Sequence, residues 1–237
     1  MKAIIRALIN RLGYDVKKLV SDVGKPIDVL DLAVRSEVAS TDRFFVLQIG
    51  ANDGRMDDPV YPIIKRYKLH GLLVEPMPEY FALLRVNYAD QPQLMFENCA
   101  ISTENGERDL FRIKRDIYSD PGFNGMASFD RLRPMQAKRI LPNLDRNIEV
   151  IRVRTMTLAA LLSKYNIKKV DLLQIDTEGF DYEILRMAVD NNVLPAIINY
   201  EHINLCLGDQ ISCRRMLSTH NYKFANNGPD TVAIRDP

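Results

Sequence analysis

The sequence predicts an α/β fold, a doubly wound and mostly parallel sheet, and three observations carry that expectation. Short, continuously apolar runs such as Phe44–Ile49 and Val170–Ile175 alternate with segments of helical period, as buried parallel strands and crossover helices do. Several of these runs end in a glycine or a carboxylate, at the strand edge where such sheets bind ligands. The chain closes on two short runs, Tyr222–Ala225 and Thr231–Ile234, around Asn226-Asn227-Gly228-Pro229-Asp230, which reads as an antiparallel hairpin.

Residues 1–42 predict a helical extension. Ile4, Ile5, Leu8, Ile9 and Leu12 recur at helical spacing, while Lys2, Arg6, Arg11, Lys17 and Lys18 crowd the other faces. Such a helix suits peripheral contact with a membrane surface, a homodimer contact, or packing on its own domain, the commonest fate of an amphipathic stripe. No small-residue cleavage site follows it, so it does not read as a signal peptide.

Residues 43–237 predict one domain. Strand Phe44–Ile49, helix 60–69, strand Gly71–Val74 and helix Glu79–Tyr88 open it. Strand Leu94–Ala100 follows, then an additional or edge strand at Arg108–Ile113. Segment 115–147 carries Pro121, Gly122, Gly125, Pro134 and Pro142 without a sustained period, and predicts an insertion or lid over the site. The alternation resumes with strand Val150–Arg154, helix Leu158–Tyr165, strand Val170–Ile175, helix Tyr182–Asn191, strand Ala196–Tyr200 and helix Ile211–Thr219.

Composition excludes several classes. A chain of 237 residues with 46% apolar and 27% charged residues supports one ordered core rather than disorder. A formal charge of +1 gives nucleic acid no electrostatic footing as a partner. Cys99, Cys206 and Cys213 lack CxxC spacing, which argues against a disulfide framework or structural zinc and fits a reducing, cytoplasmic setting. No apolar run approaches the ~20 residues of a transmembrane span.

The turn after the first strand is Gly50-Ala51-Asn52-Asp53-Gly54. A dinucleotide site wants G-x-G-x-x-G to seat a pyrophosphate on a helix N-terminus. Asn52 stands at the middle glycine position, so the turn suits a nucleoside without phosphate. Leu72-Leu73-Val74-Glu75-Pro76 puts a carboxylate at the end of the second strand, where it can accept both ribose hydroxyls. The third strand ends at Asn98-Cys99-Ala100, where Asn98 or nearby backbone can read a base edge. Asp176, Thr177, Glu178, Gly179, Phe180 and Asp181 follow the strand 170–175 and set three carboxylates at the ligand edge. Asp176 and Glu178 can hold an amino group, orient a hydroxyl or bind a divalent cation. Asp181 suits the first turn of a helix without any catalytic role. Glu201 and His202 end the next strand at the same rim, whereas His70 and His220 have no such context.

Together VLQIGANDG, LLVEP, ENCAIS, VDLLQIDTEGFDYEILR and INYEH resemble the FkbM family of S-adenosylmethionine-dependent methyltransferases, over roughly residues 44–235. The resemblance implies the class I methyltransferase fold: a mostly parallel seven-stranded sheet, a C-terminal antiparallel hairpin and helices on both faces. It implies S-adenosyl-L-methionine held by Gly50, Asn52, Asp53, Gly54, Glu75, Pro76, Asn98, Ala100 and Asp176. It adds Ser128, from the small-residue stretch Gly125-Met126-Ala127-Ser128. It further implies O-methylation of a hydroxyl on a sugar, glycan or related natural product. Leu12-Gly13-Tyr14-Asp15 is similar to leaders of family members found among bacterial polysaccharide genes.

An alcohol is a poor nucleophile at neutral pH and needs a base or a metal. Asp176, Glu178, Glu201 and His202 are the catalytic candidates, with Mg2+ on Asp176, Glu178 and Glu201 as an optional activator. Arg115, Arg131, Arg133, Lys138, Arg139 and Arg146 can contact an anionic acceptor, although interspersed acids favour a solvated surface. Two alternatives stand beside this reading. The missing middle glycine opposes a nicotinamide-dependent oxidoreductase, and the intact acids oppose a non-catalytic cofactor-binding module.

Overall fold

The computed structural model describes residues 27–114, 126–135 and 144–236. A seven-stranded sheet runs through it: β1 (Phe45–Ile49), β2 (His70–Val74), β3 (Leu94–Glu97), β8 (Leu172–Ile175), β9 (Ile197–Glu201), β10 (Tyr222–Asn227) and β11 (Asp230–Arg235). Their order is β3-β2-β1-β8-β9-β11-β10. β3, β2, β1, β8 and β9 are parallel, and β11 joins antiparallel to β9 and to β10. This is the class I methyltransferase architecture, hairpin included.

Apolar side chains decide both faces. Leu47, Ile49, Leu173, Ile175 and Ile198 point to one side, where α5 (Leu158–Lys164), α6 (Asp181–Asp190) and α7 (Leu207–Ser218) cover them. Val46, Leu73, Leu172 and Ile197 point to the other, against α1 (Val29–Val38), α2 (Tyr61–Tyr67) and α3 (Pro78–Asn87). A strand covered on both sides is apolar at most positions, and the exceptions Gln48, Gln174 and Asn199 stand in register on β1, β8 and β9, with the Asn199 amide donating to Gln174 Oε1 at 2.8 Å. Asp28 caps α1 by accepting from the backbone N–H groups of Leu30 and Asp31. Leu30 and Val34 of α1 are fully buried in the core. The basic amphipathic stretch before residue 27 lies outside the described residues. Among those described, no helix is long and apolar enough to cross a membrane.

Three expected strands differ from what is found. The run 94–100 splits at Asn98-Cys99: β3 stays in the main sheet, while β4 (Ala100–Ile101) joins a second sheet. β5 (Gly106–Ile113) is not an edge of the main sheet. It pairs antiparallel with β7 (Ile148–Met156), and β6 (Ala127–Ser128) completes a four-stranded sheet ordered β4-β7-β5-β6. The expected strand at 150–154 therefore belongs to this small sheet and not to the parallel one. β7 alternates half-exposed with buried positions, as a one-sided antiparallel strand does. Of segment 115–147, β6 and α4 (Leu132–Met135) lie beside the mouth of the site, while 115–125 and 136–143 fall outside the described residues.

Gly54 has φ +71, and a Cβ there would stand 2.4 Å from Leu84 Cδ1 and 2.6 Å from Tyr88 Cε2. Gly54→Ala is expected to destabilise the fold by about 1–3 kcal/mol, through strain and overpacking against α3. Urea denaturation checks this, and an unchanged midpoint would show that α3 yields freely.

Candidate active site

The carboxyl ends of β2, β1, β8 and β9 open on one cavity of about 250 Å3. β1 and β8 meet at its floor. Gly50 has φ +83, and a Cβ on it would lie 1.7 Å from the carbonyl oxygen of Asp176. Only glycine lets the two strand ends close up in this way.

On the β2 side, Glu75 is buried and accepts two backbone N–H groups, from Asn52 at 2.8 Å and from Met77 at 2.8 Å. Burial nonetheless pushes its carboxyl up to about 7, with Asp53 adding a smaller push. Its remaining lone pairs can accept a ribose diol. Pro76, Met77, Tyr80, Cys99, Ala100 and Ile101 continue this wall with mostly apolar surface suited to a flat base. Asn98 does not line the cavity. Its amide donates to the carbonyls of Glu75 and Pro76, at 2.7 and 3.1 Å, and so anchors the turn that carries Glu75.

Below the glycine turn, the Gln48 amide donates to Asp58 at 3.1 Å, while its own Oε1 is buried without a hydrogen-bond partner. Asp58 is held by burial at about 6. Asn52 lines the cavity, but Asp53 and Gly54 do not. Asp53 accepts from the backbone N–H groups of Arg55 and Met56 and shapes the loop, while Gly54 admits α3.

On the β8 and β9 side stand Asp176, Glu178 and Glu201. Asp176 has free surface where it meets the cavity and is enclosed by chain elsewhere. That enclosure, then Glu201, Glu178, Asp181 and Asp230, raises its carboxyl well above the ordinary range. Burial and then the charges of Glu178 and Asp181 push Glu201 up to about 8. Asp181 is fully buried, so its role exceeds that of a helix-dipole acid. It accepts from Thr177 Oγ1 at 2.8 Å and from the Glu201 backbone N–H at 3.2 Å, tying the β8 turn to the end of β9. Ser128 does not line the cavity, and its hydroxyl donates to the Glu178 carbonyl at 2.8 Å. His202 also lies off the cavity, with Nδ1 3.1 Å from Thr231 Oγ1 in the hairpin.

The sequence matches the Methyltransferase FkbM domain over residues 48–224. The chain belongs to the FkbM methyltransferase family. No curated protein matches the sequence. Among solved structures, methyltransferase FkbM from Methylobacillus flagellatus KT is similar at TM-score 0.48 and 10% identity, with 81% of this chain and 44% of that one covered. This chain thus spans less than half the length of that relative. A human methyltransferase 10 domain containing protein is similar at TM-score 0.42 and 9% identity, over 99% and 94%. Precorrin-6y C5,15-methyltransferase from Geobacter metallireducens GS-15 is similar at 0.43 and 12%, over 92% and 90%. Likeness at this level carries no argument about acceptor or chemistry.

Among the described residues no group of three or more His, Cys, Asp or Glu is arranged to hold a metal ion. Glu178 is instead engaged by the Arg133 guanidinium at 2.8 Å and by the Asn204 amide at 2.9 Å. Several residues were not singled out from sequence: Gln48, Asp58, Tyr80, Thr177 and Asn204, while Arg133, expected there as a contact for an anionic acceptor, pairs with Glu178 instead. Gln48 and Thr177 adjoin the glycine turn and the acidic turn, and proximity alone could have flagged them. Tyr80, Asp58, Arg133 and Asn204 reach the site only through folding.

The folded chain holds the Glu75 proton up to about 7, against an ordinary 4.5. Its contribution to stability is therefore fully present below pH ~4.5 and fades as pH rises through the neutral range. Asp58 and Asp181, at about 6, and Glu201, at about 8, act in the same direction. The ligand-free protein is expected to lose denaturant resistance from pH ~5 to pH ~8. Glu75→Gln should flatten that slope by on the order of 1–3 kcal/mol. A stability that rises through this window would contradict the assignment.

Proposed function

We propose that this chain is an S-adenosylmethionine-dependent methyltransferase that O-methylates a hydroxyl of a sugar, glycan or related natural product. One observation carries the reading: a single cavity runs from a ribose-competent carboxylate, Glu75, past the Gly50 turn, to the carboxylates Asp176, Glu178 and Glu201. The residues present fit the cofactor. Gly50 lets the ends of β1 and β8 close into a floor, Glu75 keeps lone pairs for a diol, and that floor carries Gln48 Oε1, a buried acceptor.

Glu75 would hold the ribose, the wall from Pro76 to Ile101 the base, and the ends of β1 and β8 the amino-acid portion. Bound there, S-adenosylmethionine supplies a methyl group on a cationic sulfur. Asp176 favours that cation by charge. Glu178 and Glu201, farther along the rim, face the acceptor. A rim of acids hydrogen-bonds hydroxyls in either protonation state, whereas a bound anion would add negative charge beside them, so the rim suits a neutral polyol better than a phosphate or uronate. Phe129 and Phe180, with ring centroids 5.2 Å apart, offer that polyol an apolar flank. The family's link to glycan acceptors supports the same class.

Calorimetry is expected to show S-adenosylhomocysteine binding and none of NAD(H). Glu75→Ala should weaken S-adenosylhomocysteine ~10–100-fold, the equivalent of losing charge-assisted hydrogen bonds. Tritiated S-adenosylmethionine should label a member of a nucleotide-sugar and glycan panel equally with and without chelator. Binding of NAD(H) instead, or label incorporated only into a non-hydroxyl acceptor, would overturn the reading.

A further inference from the structure

The three carboxylates of the acceptor rim are chemically alike in sequence and unlike in surroundings. Glu178 follows β8 with φ +53, an uncommon backbone state for a glutamate, and Ser128 Oγ on the small sheet fixes its carbonyl at 2.8 Å. Its carboxylate meets Arg133 of α4 at 2.8 Å, and this guanidinium is 13% exposed. The same Glu178 oxygen accepts from the Asn204 amide, and that amide also donates to Glu201 Oε2. One carboxamide thus spans both glutamates, while the cation contacts one of them.

We infer that Arg133 and Asn204 are positioning residues: they hold Glu178 in an ion pair and leave Glu201, aligned by Asn204, to take the acceptor's proton. The inference rests on the methyltransferase reading above. Strand order supports it. Along β2, β1, β8 and β9, Glu75 marks the nucleoside end and Asp176 lies against the Gly50 turn, so Glu201 is the carboxylate farthest from the nucleoside. In an in-line transfer the base sits on the side of the methyl opposite the sulfur. Glu201 accepts the hydroxyl proton as that oxygen bonds the methyl carbon. The carbon–sulfur bonding pair stays on sulfur, and the proton later leaves to water.

Charge around Glu201 agrees with this division. Glu178 and Asp176 face it from the β8 turn, Asp181 from α6 with a carboxylate that accepts from the Glu201 backbone N–H, and Arg133 from α4; Asp230 pairs with it across β11 and His202 follows it in the chain. Enclosed by chain and surrounded by acids, Glu201 holds its proton to about 8, whereas Arg133 opposes the upward push on Glu178. A carboxylate that titrates near neutrality is a stronger base than one paired to a guanidinium, although burial raises Glu178 as well.

Carbon-13 NMR titration of side-chain-labelled glutamates reads this without an acceptor. In the wild type, Glu201 should titrate near 8 and Glu178 at lower pH. Arg133→Gln should raise the Glu178 midpoint, and Arg133→Lys should restore it. S-adenosylhomocysteine affinity should stay within about twofold in both, since Arg133 is remote from Glu75. Against the glycan panel, Glu201→Gln should lose ~100-fold or more in label transfer, the scale of a missing general base. Glu178 titrating above Glu201 in the wild type, or Glu201→Gln transferring label at the wild-type rate, would overturn the inference. A wild-type chain that binds no S-adenosylhomocysteine would instead overturn the reading of function on which it rests.

Discussion

The approach of Gly50 to the carbonyl of Asp176 is the constraint on which the site depends. Two parallel strands, β1 and β8, run side by side and end together, and a missing side chain lets their ends touch. That contact sets the floor of the cavity. It places the turn of β1 and the acids after β8 on one rim, with β2 and β9 flanking them in register. Any side chain at position 50 would drive the acidic turn away from the glycine turn and part the two halves of the site.

The cavity is lined with carboxylates that would each be stable in water. Burial raises Glu75, Asp58, Asp176, Asp181 and Glu201, and the fold tolerates this by giving most of them backbone N–H donors. A ligand that carries cationic centres suits such a wall, because it adds positive charge beside these acids. Folding and binding therefore pull in different directions at neutral pH. Such strain is common where a surface has been shaped for a ligand rather than for stability.

The small antiparallel sheet serves the same rim from outside. β6 delivers Ser128 to the Glu178 carbonyl, and α4 delivers Arg133 to its carboxylate. Phe129 meets Phe180 edge-on, with the Arg108 guanidinium 4.0 Å from the Phe129 ring centroid. The small sheet is thus part of the wall beside Glu178. Its pattern differs from that of the main sheet because one of its faces meets water.

Much of this was legible in the residues themselves. Mostly apolar runs identify β1, β2, β8 and β9, since a strand buried on both faces admits few polar side chains, and the glycine and acids at their ends mark the ligand edge. Asn52 in place of a glycine spoke against the dinucleotide fingerprint. Orientation was not legible. Asp53 and Gly54 neighbour Gly50 in the chain, yet one caps the loop and the other admits α3. His202 follows Glu201 yet turns to Thr231, because successive residues of a strand point to opposite faces. Strand partnership also escaped the sequence: β5 and β7 alternate much as main-sheet edges do, and only their pairing with each other sets them in a second layer. Sequence alone determined the α/β class, the rim and its acids, because burial and turn chemistry are local demands. Only the tertiary structure decided which acid meets Arg133, which shares Asn204 and which stands alone. Those contacts join residues 133, 178, 201 and 204 across three elements, and no periodicity records them.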